Sequence, residues 1–188
     1  MAASAPETWG MVGQQQAVGA LRAAIQHGRL AHAYLFSGPR GVGRATLARR
    51  LAQALSCEAR VGIDPCLECR PCRHINEGTH PDIITLAPGD TLCRPRAGET
   101  SHERHPLSRD IRICQVRGVI DLVSRYPFEA RTPMILIDPA ERFGRDAAHT
   151  ILKTLEEPPG HTVFALISAA PEAIIETILS RCRRIEVH

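Results

Sequence analysis

The first residues that could do chemistry are Ser37-Gly38-Pro39-Arg40-Gly41-Val42-Gly43-Arg44-Ala45-Thr46. A loop that wraps phosphate in backbone N–H groups follows G-x-x-x-x-G-K-[ST]. Its glycines permit the close curl, its Lys reaches the β- and γ-phosphates, and its hydroxyl binds Mg²⁺. Gly38 and Gly43 keep this spacing with Gly41 between them, but Arg44 stands at the Lys position and Ala45 at the hydroxyl position. The cradle should therefore keep its backbone donors and lose its metal ligand, with nucleotide binding weak or absent. Thr46 could offer a shifted hydroxyl, one residue late. The chain has 22 Arg and a single Lys, Lys153. That skew gives Arg44 a composition-wide explanation, which Ala45 does not share.

The second chemical cluster is Cys57-x8-Cys66-x2-Cys69-x2-Cys72, within which Pro65 and Pro71 force turns. Four thiolates so spaced read as a closed tetrahedral zinc site, structural because no coordination position stays open. Disulfides belong to oxidising compartments, and the N-terminus MAASAPETWG lacks the basic-then-apolar layout of an export signal. An iron–sulfur cluster also begins with C-x2-C-x2-C, but here the run continues Arg73-His74-Ile75 without Cys-Pro. Cys93, His102 and His105 match no ligand template and read as solvated loop residues.

These residues need elements to hold them. Ala33 to Phe36 is an apolar run that enters the glycine loop as a buried strand, and Leu47, Leu51 and Leu55 follow at helical spacing. A first helix is expected over Gly13 to His27, closed by Gly28. Asp82 to Ala87 reads as a second strand, Ile113 onward as a helix ended by Pro127, and Met134 to Asp138 as a third strand. Asp138 puts a carboxylate at that strand's C-terminal end, where open α/β sheets bind ligands. Ile151, Leu152 and Leu155 mark a helix stopped by Pro158-Pro159, and Val163 to Ser168 a fourth strand. Ala173 to Leu179 reads as a short helix, and Arg184 to Val187 as a last strand. Pro88 to Asp110 has no periodicity and reads as a mobile surface insertion. Alternating strands and helices give an α/β fold, a parallel sheet with helices on both faces.

At 188 residues, 44% hydrophobic and 23% charged, the chain suits one domain with a substantial core. No apolar run approaches the roughly 20 residues of a membrane span, so a cytoplasmic location without a membrane partner is expected. A formal charge of +3 and 4% aromatics argue against a nucleic-acid-binding module with a basic, base-stacking face.

His32 to Thr46 (HAYLFSGPRGVGRAT), Leu152 to Pro159 (LKTLEEPP) and Ser180-Arg181-Cys182 together resemble the clamp-loader branch of the AAA+ ATPases in bacterial DNA polymerase III. The match runs from about Met11 to the C-terminus. It is most similar to the delta-prime branch, with the ATP-hydrolysing gamma/tau branch as near neighbour. The resemblance implies an AAA+ RecA-like domain over 1–188 with a four-Cys zinc module at 57–74. It makes Asp138 the Walker B acid, with Pro139 where active members carry the Glu that polarises water, and Glu141 a helix-start residue outside that position. It also makes Ser168 the sensor 1 residue, although a strand-end Ser capping the next turn fits its type equally. Arg181 becomes an arginine finger acting in trans on a neighbour's ATP. Because Arg44, Ala45 and Pro139 depart together, the implied role is a non-hydrolysing subunit that helps load the sliding clamp in DNA replication. A slow gamma/tau-like ATPase is the alternative. Implied partners are gamma/tau and delta subunits, with the clamp and primer-template DNA met through the assembly. Family members continue into a lid and a collar, which are absent from these 188 residues.

Overall fold

The computed structural model describes residues 8–89, 92–95, 105–124 and 127–188. Five strands, β1 (Ala33–Ser37), β2 (Ile83–Leu86), β3 (Met134–Ile137), β4 (Val163–Ser168) and β5 (Arg183–Glu186), form one sheet in the order β2-β3-β4-β1-β5. Every pairing is parallel. The three central strands are buried along their whole length, whereas β2 and β5 at the two edges are partly exposed. That is why the inner strands read as unbroken apolar runs: helices cover both faces of a parallel sheet.

Strand alternation divides the core in two. Tyr34, Phe36, Met134 and Leu136 face the helices α1 (Gln15–Gln26), α2 (Arg44–Ser56) and α3 (Arg70–Glu77), where they meet Leu21 and Leu47. Ala33, Leu35, Ile135 and Ile137 face α4 (Ile113–Val123), α5 (Arg145–Glu156) and α6 (Glu176–Leu179), meeting Val116 and Ile151. At roughly 25 cal/mol per Å² of apolar surface, these two layers are the main force holding the sheet. No helix among the described residues is long and apolar enough to cross a membrane.

Three sequence expectations change. The helix expected over Ala173 to Leu179 is a 3-10 turn at Pro171–Ala173 followed by the four-residue α6, because Ile174 and Ile175 adopt extended backbone between them. The last strand starts one residue early, at Arg183, which pairs with Tyr34. Within the stretch read as a mobile insertion at 88–110, residues 92–95 pack on the body, and Ile111 just after it is buried. Leu92 joins the α4-side core, Arg94 N–H donates to Cys114 O at 2.9 Å, and Arg94 pairs with Asp121. Ile111 exchanges backbone hydrogen bonds with Arg142 and Gly144 at 2.7 and 3.0 Å. His102 and the other residues at 90–91 and 96–104 lie outside the described residues.

Candidate functional site

The phosphate-type loop joins β1 to α2 at the C-terminal edge of the sheet. Gly41 and Gly43 have φ of 85° and 94°, a left-handed backbone that glycine adopts at little cost, and Gly43 is the N-cap of α2. Gly38 is required for another reason: a Cβ there would lie 2.0 Å from Val187 O, because the chain leaving β5 crosses the loop and Val187 N–H donates to Ser37 O. The first turn of α2, whose N–H groups have no partner within the helix, borders a cleft, an arrangement that suits an anion.

That cleft is lined by Arg40, Arg44, Asp138, Pro139, Glu141 and Ala169, among others. Arg44 Nη1 is buried without a hydrogen-bond partner among the described residues. Asp138 lies across from it. Burial pushes the Asp138 carboxyl above its ordinary value, the Arg44 guanidinium opposes this, and the Glu141 carboxylate adds to it. Ala45 and Thr46 differ in placement: Ala45 borders a neighbouring pocket together with Asp138, while Thr46 is exposed on the outside of α2. Pro139 places no side-chain acceptor beside Asp138. Glu141 is carried back toward the cleft by the 3-10 turn Ala140–Arg142. Its Oε1 accepts from Ala169 N–H at 3.3 Å, and its Oε2 is buried without a partner among the described residues. Ser168 is buried, and its Oγ accepts from Ala170 N–H at 3.1 Å, which is the turn-capping alternative for this residue.

The four cysteines converge from three local features. Cys57 is the C-cap of α2, Cys66 lies in the following turn, Cys69 is the N-cap of α3, and Cys72 sits in the first turn of α3. Their sulfurs all lie within 4.8 Å of one another, with Cys57–Cys66 at 3.5 Å and Cys57–Cys69 at 3.8 Å. No disulfide joins any two of the four. Backbone N–H groups of Cys66 and Cys69 donate to the sulfurs of Cys57 and Cys66 at 3.3 and 3.2 Å, the pattern that settles negative charge on sulfur. Burial works against the Cys69 thiolate, but backbone N–H groups of Cys72 and Glu58 outweigh it and bring this thiol down to about 7. Burial pushes Cys57 and Cys72 up. The cluster can hold one four-coordinate metal ion.

Several side-chain contacts tie this module to the body, among them Arg70 Nη2 donating to Glu129 Oε1 at 2.8 Å. Gln53 of α2 donates to Cys72 O at 2.7 Å. Asp64, in the turn before Cys66, accepts from Trp9 Nε1 at 2.8 Å and from Arg22 Nη2 at 2.9 Å. Arg181, following α6, folds back toward the end of α5. Its Nη2 donates to Glu156 Oε1 at 2.6 Å, and its Nη1 donates to Thr177 O at 2.8 Å and to Ser180 Oγ at 3.4 Å.

Comparison with known proteins fits this arrangement. A family described as DNA polymerase III, delta subunit, matches residues 13–188. The chain belongs to that family. The DNA polymerase III subunit tau of Salmonella typhimurium is 37% identical over 178 residues, 94% of this chain and 25% of that protein. The DNA polymerase III subunit delta' of Pseudomonas aeruginosa is 36% identical over 152 residues, 81% of this chain and 42% of that protein. The chain therefore spans between a quarter and less than half of these curated relatives. A solved DNA polymerase III gamma subunit-related protein of Thermotoga maritima superposes with a TM-score of 0.56 at 18% identity, covering 90% of this chain and 45% of that one. Thermotoga maritima RuvB gives 0.54 at 16%. At those identities the likeness speaks for the fold, which is of the AAA+ RecA-like type.

In this delta-family domain, the fold brings Gly38, Gly41, Gly43, Arg44, Ala45 and Asp138 to one edge of the sheet and the four cysteines to one cluster. Arg181 stands apart from both, against the end of α5. Sequence reasoning missed Glu141 as a cleft residue, because it follows Asp138 by three positions and only a 3-10 turn returns it. It also assigned no role to Glu156, although that residue lies inside the LKTLEEPP string that carried the resemblance.

Proposed function

We propose that this domain is the delta-prime-type subunit of a DNA polymerase III clamp loader: it does not hydrolyse ATP itself and serves the ATP site of a neighbouring subunit. The observation that carries this reading is Ala45 opposite Asp138. The loop keeps its backbone curl, while the hydroxyl that would share Mg²⁺ with Asp138 is a methyl group and the next residue after Asp138 is Pro139. Loss of one transition-state contact of this kind typically costs about 10²–10³ in rate, and here the Lys, the hydroxyl and the base are replaced together. Phosphate can still enter the cradle, where Arg40 and Arg44 supply charge without a metal.

Two further parts belong to the reading. Zinc is the metal of the four-Cys module: a tetrahedron with Zn–S of about 2.3 Å has an edge of about 3.8 Å, close to the observed sulfur separations of 3.5 and 3.8 Å. Cys57, Cys66, Cys69 and Cys72 would hold it, and its role is to fix the connection between α2 and α3. Arg181 is the residue offered to the neighbour's ATP. A planar guanidinium presents a rigid fork to phosphate oxygens, and a finger supplied by a partner is worth about 10³–10⁵ in rate in well-studied nucleotide hydrolases. Sliding clamp and primer-template DNA are met through the assembled loader with gamma/tau and delta subunits.

A slow gamma/tau-like ATPase is the second reading. It is favoured by the 37% identity to tau and by the unpartnered Glu141 oxygen in the cleft, which could orient a water. Phosphate release by the purified chain separates the two. The expected result is no release above that of Gly43→Glu, whose side chain blocks the cradle. Release that disappears in Gly43→Glu establishes the slow ATPase. Co-purification with an active gamma/tau-type subunit, followed by DNA-stimulated ATPase with wild type and Arg181→Ala, then tests the finger, with at least a tenfold fall expected.

A further inference from the structure

The Arg181 contacts are made by a residue that has no assigned role. Glu156 is the last residue of α5, the helix that follows β3 and the 3-10 turn after Asp138, whereas Arg181 follows α6. Their side chains are 46% and 34% exposed, with Nη2 and Oε1 2.6 Å apart. An exposed pair of this kind adds little to stability.

The consequence for the guanidinium is geometric. Nη1 is taken by Thr177 O and Ser180 Oγ and one Nη2 hydrogen by Glu156, so Nε–H and the second Nη2 hydrogen have no partner among the described residues. A free Arg side chain samples many rotamers, and fixing it in one costs conformational entropy. Here the cost is met within the chain before any neighbour docks. The fork is held at one edge by a carboxylate and a backbone carbonyl, while the other edge stays available to phosphate oxygens.

We infer that Glu156 is the positioning residue for Arg181, holding the guanidinium in place so that its unpartnered N–H groups can meet a neighbouring subunit's phosphate while the Glu156 contact persists. This rests on the reading of Arg181 as a finger acting in trans. It also gives Glu156 a function distinct from helix formation, since many residue types can end a helix but only an acceptor of this length reaches Nη2.

The test uses the full chain in a loader reconstituted with an active gamma/tau-type subunit, comparing Glu156→Gln, Glu156→Ala, Arg181→Ala and the double variant Glu156→Ala/Arg181→Ala. Glu156→Ala should lower kcat of clamp-stimulated ATP hydrolysis about three- to tenfold with KM unchanged, and Glu156→Gln, which keeps an acceptor, should fall between it and wild type. In the Arg181→Ala background Glu156→Ala should have no further effect, a non-additivity that a general loss of stability would not give. If Arg181→Ala itself leaves the rate intact, the finger reading falls and this inference with it. If Arg181→Ala is severe but Glu156→Ala leaves kcat unchanged, raises it, or adds fully to Arg181→Ala, only the positioning role is overturned.

Discussion

Replacing Asp82 with Asn should loosen the loop that connects α4 to β3, and the size of the effect can be worked from three hydrogen bonds. Asp82 Oδ1 accepts from Phe128 N–H at 2.8 Å, and Oδ2 accepts from Glu129 and Ala130 N–H at 2.6 and 2.7 Å. An Asn side chain has one acceptor oxygen, so either orientation turns an NH₂ group toward at least one backbone donor. In the better orientation the oxygen takes Glu129 and Ala130, and Phe128 N–H is left facing a donor. Losing one charge-assisted bond and stranding its partner costs about 1.5–3 kcal/mol. With a urea m-value of about 2 kcal/mol/M, the midpoint should fall by about 1 M at pH 7.

The pH dependence gives the sign. Burial raises the cost of the Asp82 charge, but the three N–H donors outweigh it and hold this carboxyl below its ordinary value. A depressed folded value means that the stabilisation is fully present above the unfolded value near 3.9 and is lost as pH falls through the folded one. The gap between wild type and Asp82→Asn should therefore narrow below about pH 4. His80 adds an earlier step: burial lowers its pKa, opposed by the Asp82 carboxylate, and its Nδ1 accepts from Asp82 N–H at 3.2 Å. Stability from neutral His80 is complete above about 6.5 and is lost as pH falls through its lowered value. Urea titrations followed by circular dichroism from pH 7 to 3 decide the matter. A midpoint shift below about 0.3 M at pH 7, or a gap that keeps the same size down to pH 3, would refute the carboxylate as the anchor.

Elemental analysis should find one zinc per chain, and Cys57→Ser or Cys72→Ser should lower that content sharply; metal-free protein, or visible iron–sulfur absorbance, contradicts the assignment. Because metal binding is local folding free energy, a chelator should raise hydrogen exchange over 57–74 while β1, β3 and β4 stay protected; loss of protection in those strands would show that the module supports the whole fold. Gly38→Ala should cost about 1–3 kcal/mol or more, because its Cβ would meet Val187 O at 2.0 Å and push the end of β5 from the loop; a melting temperature equal to wild type would show that this crossing is loose.

The sheet could be read from the sequence because its inner strands are buried on both faces, so Tyr34 to Phe36 and Met134 to Ile137 are apolar at every position. The glycine loop and the cysteines were legible for a related reason, since each is a short local pattern with one physical purpose. What could not be read is fixed by distant partners. Arg181 offers a charge to any nearby acid, and only packing of α5 against α6 selects Glu156, 25 positions away. Asp64 gave no signal before the fold placed Trp9 beside it, 55 positions apart. Glu141 and the break at Ile174 depend on single turns that periodicity does not resolve.

Trp9 gives the molecule its own lamp. It is the sole tryptophan, 1% exposed, with its indole N–H bonded to the Asp64 carboxylate two residues before Cys66. Its neighbour Gly10 lies close to Leu67, and the methyl of Met11 sits beside Gly43, where an added Cβ would meet it at 3.1 Å. Indole emission depends on local polarity and hydrogen bonding, so one unlabelled fluorophore watches the cysteine knuckle directly and the phosphate loop from two residues away. Filling either place changes the colour or yield of the same light.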